Sequence, residues 1–501
     1  MRRTFALALS LICLLTLSGC TGGGREDTGA AVTLAPAAVP YDAPDGDSFE
    51  GSNSSYTLYI PGQDGLQLVT REIVLQTGNT NDTARQLVVA LLAFEGESLG
   101  AGRELSLYGD NPLEISGGIC TVNMASSALQ LSYRDYYEAC VAIATTLCEL
   151  DEISFVNFLV ADQSVGLDIT GSLAMGSLTA HPDENLPVLW EQMEAKRTPL
   201  GDDISRTSLS ALATLYTPLD EGRGMTCENR ILNFDGQTPQ QMAAVLLSAM
   251  TEADRSGAME VLNSSLTHEP VISELEDGGR LITLTLRRDT SDRLEDLDLD
   301  LACVMGAVTY TLTTFIPGIA AVCVRVEDTP VTELQSLRFG NITVLGGLLK
   351  RSMFADFLRE HMTAWFVSEG GLAKADTSVD RLDAESPRAQ MESLIEGPGR
   401  RQRSEGIEPS MPENVREDDI LGIAEVNDVL LINLSESFRS EIQAAGAEKE
   451  RLICYSIVNT LCENTGKRKV CFFFEGEQVE TIAGEIYWAG TFLYNPGLNE
   501  K

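Results

Sequence analysis

One pattern of helix and strand is spelled out three times in this chain, and that repetition limits the folds open to it. "CVAIATTLCELDEISFVNFLVAD" (140–162) and "CYSIVNTLCENTGKRKVCFFFEGE" (454–477) both carry Thr-Leu-Cys-Glu and then pass into a strand-like run. A third relative is "MGAVTYTLTTFIPGIAAVCVRVED" (305–328). Aligning Thr146-Leu147, Thr311-Leu312 and Thr460-Leu461 puts Ile143, Val308 and Ile457 in one column. Upstream, each copy has a helix opened by a small hydroxyl residue: Thr83, Thr238 and Ser386, the last two followed by Pro at the first helical position. Between the helices lie "ICTVNM", "LITLTL" and "VLLINL"; before the first helix lie "YTLYIP", "ATLYTP" and "TAWFVS". A recurrence of this kind marks one supersecondary unit used repeatedly.

Each unit reads as a small α+β domain in which two amphipathic helices lie on one face of a mixed β-sheet. Tyr136, Cys140, Ile143 and Leu147 form an apolar stripe at helical spacing. The run Phe155–Val160 is interrupted only by Asn157, and Val470–Phe474 is continuous, as in central strands buried on both faces. Closing strands are expected near Gly171, Gly340 and Gly484. The boundaries fall at 53–180, 205–356 and 357–498, with a Pro-containing linker at 181–204. The repeated tetrad is thus architecture.

The N-terminus has its own logic. Arg2 and Arg3 precede an apolar run from Phe5 to Leu17, too short to span a bilayer stably, and residues 1–19 read as a signal peptide. Leu17-Ser18-Gly19-Cys20 resembles the lipobox of bacterial lipoproteins. That resemblance implies diacylglycerol on Cys20, membrane attachment and an extracytoplasmic location, with acyl chains contributing about 0.8 kcal/mol per buried methylene. Residues 20–52, rich in Gly, Ala, Pro, Asp and Ser, read as a flexible tether.

The formal net charge of −38 disfavours nucleic acid and anionic lipid as partners. Of eleven cysteines, Cys13 leaves with the signal and Cys20 is the lipidation residue. The other nine read mostly as small buried apolar residues. Cys140 and Cys148 lie about 12 Å apart along one helix and cannot bridge, nor can Cys454 and Cys462. A cross-element bridge such as Cys462–Cys471 stays open.

Chemistry-bearing constellations are sparse. His181, His268 and His361 fall in a linker, a loop and a helix end, without partners at ligand spacing, so no catalytic residue, metal or cofactor is assigned. "RLEDLDLDL" (293–301) lacks the Gly and terminal Glu of a calcium loop and reads as the acidic start of the following helix. The basic cluster Arg400, Arg401 and Arg403 directly follows a Gly-Pro helix end. It is a candidate interaction patch for wall or lipid phosphate, or for an acidic neighbour. No P-loop, GxSxG or dinucleotide fingerprint occurs.

"TAWFV", "SPRAQMESLIEGP", "VLLINLSESF" and "YSIVNTLCENTGKRKVCFFFEGE" resemble the GerMN domain of GerM-type sporulation and germination lipoproteins. The resemblance covers most of the third copy, part of the first and the second more loosely. It implies an α+β fold similar to the ring-building motif. It further implies a non-enzymatic, surface-tethered role in assembling an envelope complex during spore development, with envelope or sporulation-complex proteins as partners. Three copies depart from the one or two usual in the family. A scaffold of three domains, able to self-associate, is the leading expectation. A solute- or wall-ligand-binding lipoprotein is the alternative, and a wall enzyme would need an acid, base or nucleophile that no stretch of the sequence identifies.

Overall fold

The conserved place of the Thr-Leu pair has a hydrogen-bonding reason. In a computed structural model, Thr146 Oγ1 accepts the backbone N–H of Tyr59 at 3.0 Å, Thr311 Oγ1 that of Tyr216 at 2.9 Å, and Thr460 Oγ1 that of Trp365 at 3.0 Å. Each donor belongs to a hairpin strand whose outward N–H would otherwise lie unpaired against a helix. A β-branched residue in mid-helix is unfavourable in isolation; here it satisfies a backbone donor in every copy. The structure describes residues 39–48, 52–62, 65–77, 79–94, 99, 104–168, 171–196, 203–275, 279–380 and 386–498. The expected signal peptide (1–19), the expected lipidation residue Cys20 and most of the 20–52 segment lie outside them.

The first copy comprises the antiparallel hairpin β1 (Ser52–Pro61) and β2 (Leu68–Thr77), helix α1 (Thr80–Leu92), strands β3 (Leu113–Ser116) and β4 (Ile119–Met124), helix α2 (Tyr133–Leu147) and β5 (Phe155–Val160). Helix α3 (Leu186–Glu194) follows. The second copy has the hairpin β6 (Leu209–Pro218) and β7 (Met225–Phe234), then α4 (Pro239–Ala253), α5 (Ala258–Ser265), β8 (Val271–Glu274), β9 (Arg280–Leu286), α6 (Thr290–Glu295), α7 (Leu301–Phe315) and β10 (Ile319–Val326). Four two-residue strands follow: β11 (Thr329–Pro330), β12 (Glu333–Leu334), β13 (Ile342–Thr343) and β14 (Leu348–Leu349). The third copy has the hairpin β15 (Arg359–Ser368) and β16 (Gly371–Asp380), helices α8 (Pro387–Glu396) and α9 (Arg400–Ser404), strands β17 (Ile420–Val426) and β18 (Val429–Leu434), helices α10 (Glu436–Ala445) and α11 (Ala447–Thr465), and β19 (Lys469–Phe474) with β20 (Thr491–Leu493).

The architecture is α+β, with several small mixed sheets. The first and third copies hold two sheets and the second three, where one was expected, because β12–β13 forms a sheet of its own and each opening hairpin stands apart from the sheet containing the parallel pair. That pair is β4–β5, β9–β10 and β18–β19 in turn. It closes alike each time: Ala161 N donates to Met124 O at 2.9 Å, Glu327 N to Leu286 O at 2.8 Å and Glu475 N to Leu434 O at 2.9 Å. All three donors have positive φ, between 48° and 53°, so the chain reverses immediately after the strand. The expected glycines 171, 340 and 484 also have positive φ, but the closing pairings come later. They are the single bridge Val156–Leu178, β14 on β10, and β20 on β19.

Local signals explain most helix starts. Thr238 forms a capping box with Gln241 ahead of Pro239, and Ser386 caps α8 in position, though without a side-chain bond. Thr83 is not a cap. Helix α1 begins a turn earlier, where the Asn79 side chain accepts Asp82 N–H at 2.7 Å. Within the expected linker 181–204, residues Leu186–Glu194 are helical, because Asn185 caps α3 and Leu186, Leu189 and Met193 are buried. Helices α5, α6, α9 and α10 are additions to the expected two per copy.

Residues 38–501 form one compact body. The first two copies share a continuous apolar core running from Leu58 to Leu358. The third has its own, around Phe366, Ile432, Ile457, Phe472 and Trp488. A small third cluster joins Val39 to Val429, Leu431, Cys471 and Phe473 on the outer face of the last sheet. Residues 39–48, expected within a flexible tether, are therefore packed on the third copy.

Candidate functional site

Two buried arginines, Arg223 and Arg351, lie where copies meet. Asn157, the polar interruption in β5, donates to Thr214 Oγ1 at 2.7 Å and accepts from Ser177 at 2.7 Å, while Thr214 donates to Asn229 at 2.7 Å. This network links the outer face of the first sheet to the second hairpin. Beside it, Arg351 reaches Glu114 through Nε at 3.0 Å and Nη2 at 2.6 Å, Thr314 at 2.6 Å, and lies 3.7 Å from the Tyr310 ring centroid. Burial opposes the Arg351 charge, but Glu114 and the two tyrosines outweigh it and raise the pKa.

A three-way junction joins all copies. The β3–β4 turn inserts Gly117 at a φ of 59° against Cys227, where an added Cβ would stand 2.2 Å from the Cys227 carbonyl oxygen. Gly117 N–H faces both Glu360 oxygens, at 3.0 and 2.9 Å, and Ser116 Oγ donates to Arg359 O at 2.6 Å. Burial pushes the Glu360 carboxyl up to about 7, against the pull of the Gly117 and His361 N–H groups.

The predicted basic patch lies on α9 at the junction between the second and third copies. Arg400 pairs with Asp298 at 2.6 Å, Arg403 with Glu221, and Arg401 with Glu405 at 3.2 Å on its own helix. The three side chains do not converge on a common point: two are turned to acids of the second copy. Exposed pairs of this kind contribute about 0–1 kcal/mol each. Behind them opens a cleft of about 600 Å³ lined by Arg223, Arg338, Arg359, Arg416, Asp380 and Glu396. Arg223 Nε stands 3.2 Å from Glu396, and Arg338 pairs with the same carboxylate. Burial lowers the Arg359 pKa, partly offset by Glu396 and Asp380. A second cavity, of about 750 Å³, lies within the third copy between the β15–β16 turn and helices α10 and α11.

The histidines stay apart. His181 precedes α3, His268 is exposed in a turn, and His361 lies in strand β15 and not at a helix end. Among the described residues, no group of three or more His, Cys, Asp or Glu is placed to hold a metal ion. The nine described cysteines are free. Burial raises the Cys140, Cys303 and Cys454 thiols well above their ordinary range. Cys471 Sγ lies 3.4 Å from Thr491 Oγ1 and makes no bridge to Cys462. Asp300, within the acidic run, caps α7 by accepting Cys303 N–H at 2.7 Å. No helix among the described residues is long and apolar enough to cross a membrane.

Fold and junctions define a tandem of small α+β units locked by polar seams. Residues 364–480, within the third copy, match the family model Germane, described as sporulation and spore germination. That stretch of the third copy is thus similar to the sporulation and germination family. The tandem GerMN domains of the sporulation protein GerM from Bacillus subtilis are 14% identical, with a TM-score of 0.23, covering 58% of this chain and all of that one. A protein described as a lipoprotein from Clostridium perfringens is 18% identical, with a TM-score of 0.18, covering 27% of this chain and 87% of that one. No curated protein matches the sequence.

Proposed function

We propose that the chain is a lipid-anchored extracytoplasmic protein that works without catalysis, as a scaffold or assembly factor in sporulation or spore germination. The match of residues 364–480 to the sporulation and germination family carries this reading. The seams support it: Arg351–Glu114 and Gly117–Glu360 hold the copies in fixed relation, as a protein that positions partners requires. Anchoring rests on Cys20 in its lipobox-like setting.

Deleting the gene in the source organism should lower the yield of heat-resistant or germination-competent spores, and the full chain should restore it. Cys20→Ala should move the protein from the membrane fraction to the soluble one. Normal spore yield and germination in the deletion strain would overturn the reading. The arginine-lined cleft favours a second reading, a wall- or solute-ligand receptor. That reading predicts that Arg359→Ala fails to restore the spore yield of the deletion strain while partner crosslinks persist.

A further inference from the structure

Residues 39–48 cross the outer face of the third sheet as a thin strap. Val39, Tyr41 and Ala43, at the alternate spacing of an extended chain, rest on a face made by Val429, Leu431, Cys471 and Phe473. Asp47 accepts two bonds from Arg388, at 2.5 and 2.9 Å, and the Ile423 N–H at 3.0 Å. Ser48 bridges to Ala424 as a parallel neighbour of β17, donating to Ile423 O at 3.0 Å and accepting from Glu425 N at 2.9 Å. Asn433 donates to Pro44 O at 3.0 Å and Gln478 to Val39 O at 2.9 Å.

We propose that this face is a docking site for an extended segment of a partner protein, and that residues 39–48 occupy it as a displaceable stand-in. The segment would carry apolar side chains at alternate positions and a carboxylate four residues after the last of them. This builds on the assembly role above and specifies where a partner binds.

Three observations point to an external occupant. The corresponding face of the first copy is covered by a folded hairpin with the buried network of Asn157, Thr214, Ser177 and Asn229. The third has only the strap, in which Val39 alone is buried and Pro40, Asp42 and Asp45 to Ser48 are exposed. Strand β17 is also the end of its sheet order. Among the described residues the strap pairs with β17 only through Ser48 and then crosses the face past Asn433 to Gln478, leaving the rest of that edge for backbone pairing by another segment. Finally, Arg388 supplies a cation that selects a carboxylate with two-pronged geometry.

The test is fluorescence anisotropy with a labelled peptide of residues 39–48 and the full chain. Wild type should bind at least tenfold more weakly than a strap-weakened chain carrying Val39→Asp and Asp47→Ala, because its own strap competes. Adding Arg388→Ala to the weakened chain should cost at least tenfold. The proposal falls if the weakened chain melts cooperatively yet binds no better than wild type, or if Arg388→Ala changes nothing. It falls equally if the weakened chain fails to fold, since the strap would then be an integral part of the core. Spore counts enter none of these readings, so the assembly role can stand or fail separately.

Discussion

Glu360 shows how little a residue's type says about its task here. In sequence it is one carboxylate in a very acidic chain; in the fold it is buried against the N–H of a turn more than two hundred residues away. In the fold its pKa is raised to about 7 from the ordinary 4.5, so the folded state binds its proton more tightly than the unfolded state does. The resulting stabilisation is fully present below about pH 4.5 and is lost as pH rises to about 7, an effect of about 3 kcal/mol at most. Urea unfolding at pH 5 and pH 8 should show Glu360→Gln losing less stability across that interval than wild type. An identical loss in both proteins would rule out Glu360 as the titrating group. Neither Glu360 nor Arg351 was legible in advance, because periodicity reports faces of single elements and both residues act between copies. Asn157 gave the only hint, as a polar residue in an otherwise apolar run.

At the level of helices and strands, legibility was high where a pattern is local. The three parallel-strand runs, the Thr238 and Ser386 helix starts and the Thr-Leu column all follow from capping chemistry and hydrophobic spacing. Separation of each hairpin into its own sheet was not legible, since strand propensity is the same whichever sheet receives the strand. The turns after β5, β10 and β19 were hidden for another reason: Ala161, Glu327 and Glu475 share a positive φ but no side-chain type. The Thr column yields a direct test. Thr460→Val keeps the shape of the side chain and removes the acceptor, leaving the Trp365 N–H unpaired at a cost of about 1–3 kcal/mol. Hydrogen exchange at the Trp365 amide should accelerate accordingly, and Thr460→Ser should preserve its protection. Equal exchange in wild type and the Val variant would mean that the bond contributes nothing.

Across the whole chain, a sequence of three beads becomes two cores. The first two copies share one apolar interior and the third keeps its own, because the outer face of the first sheet is sealed by the second hairpin. Arg351 lies in that seal with a side-chain exposure of 4%. Arg351→Ala strands the Glu114 carboxylate and should cost about 3–5 kcal/mol. By hydrogen exchange on the intact chain, slow amides of the first and second copies should lose protection together while those around Ile432 and Phe472 keep theirs. Uniform loss throughout would show a single cooperative unit instead.

The strap has a consequence for the order of synthesis. Gln478 holds the carbonyl of Val39 across 439 positions of sequence. A chain emerging N-terminus first has made this segment long before the surface it covers exists. Leu431 and Phe473 must be translated and folded before Val39 can come to rest. A stretch that leaves the ribosome early is thus among the last to find its seat, and the newly finished C-terminal sheet stays open to other strands until it arrives.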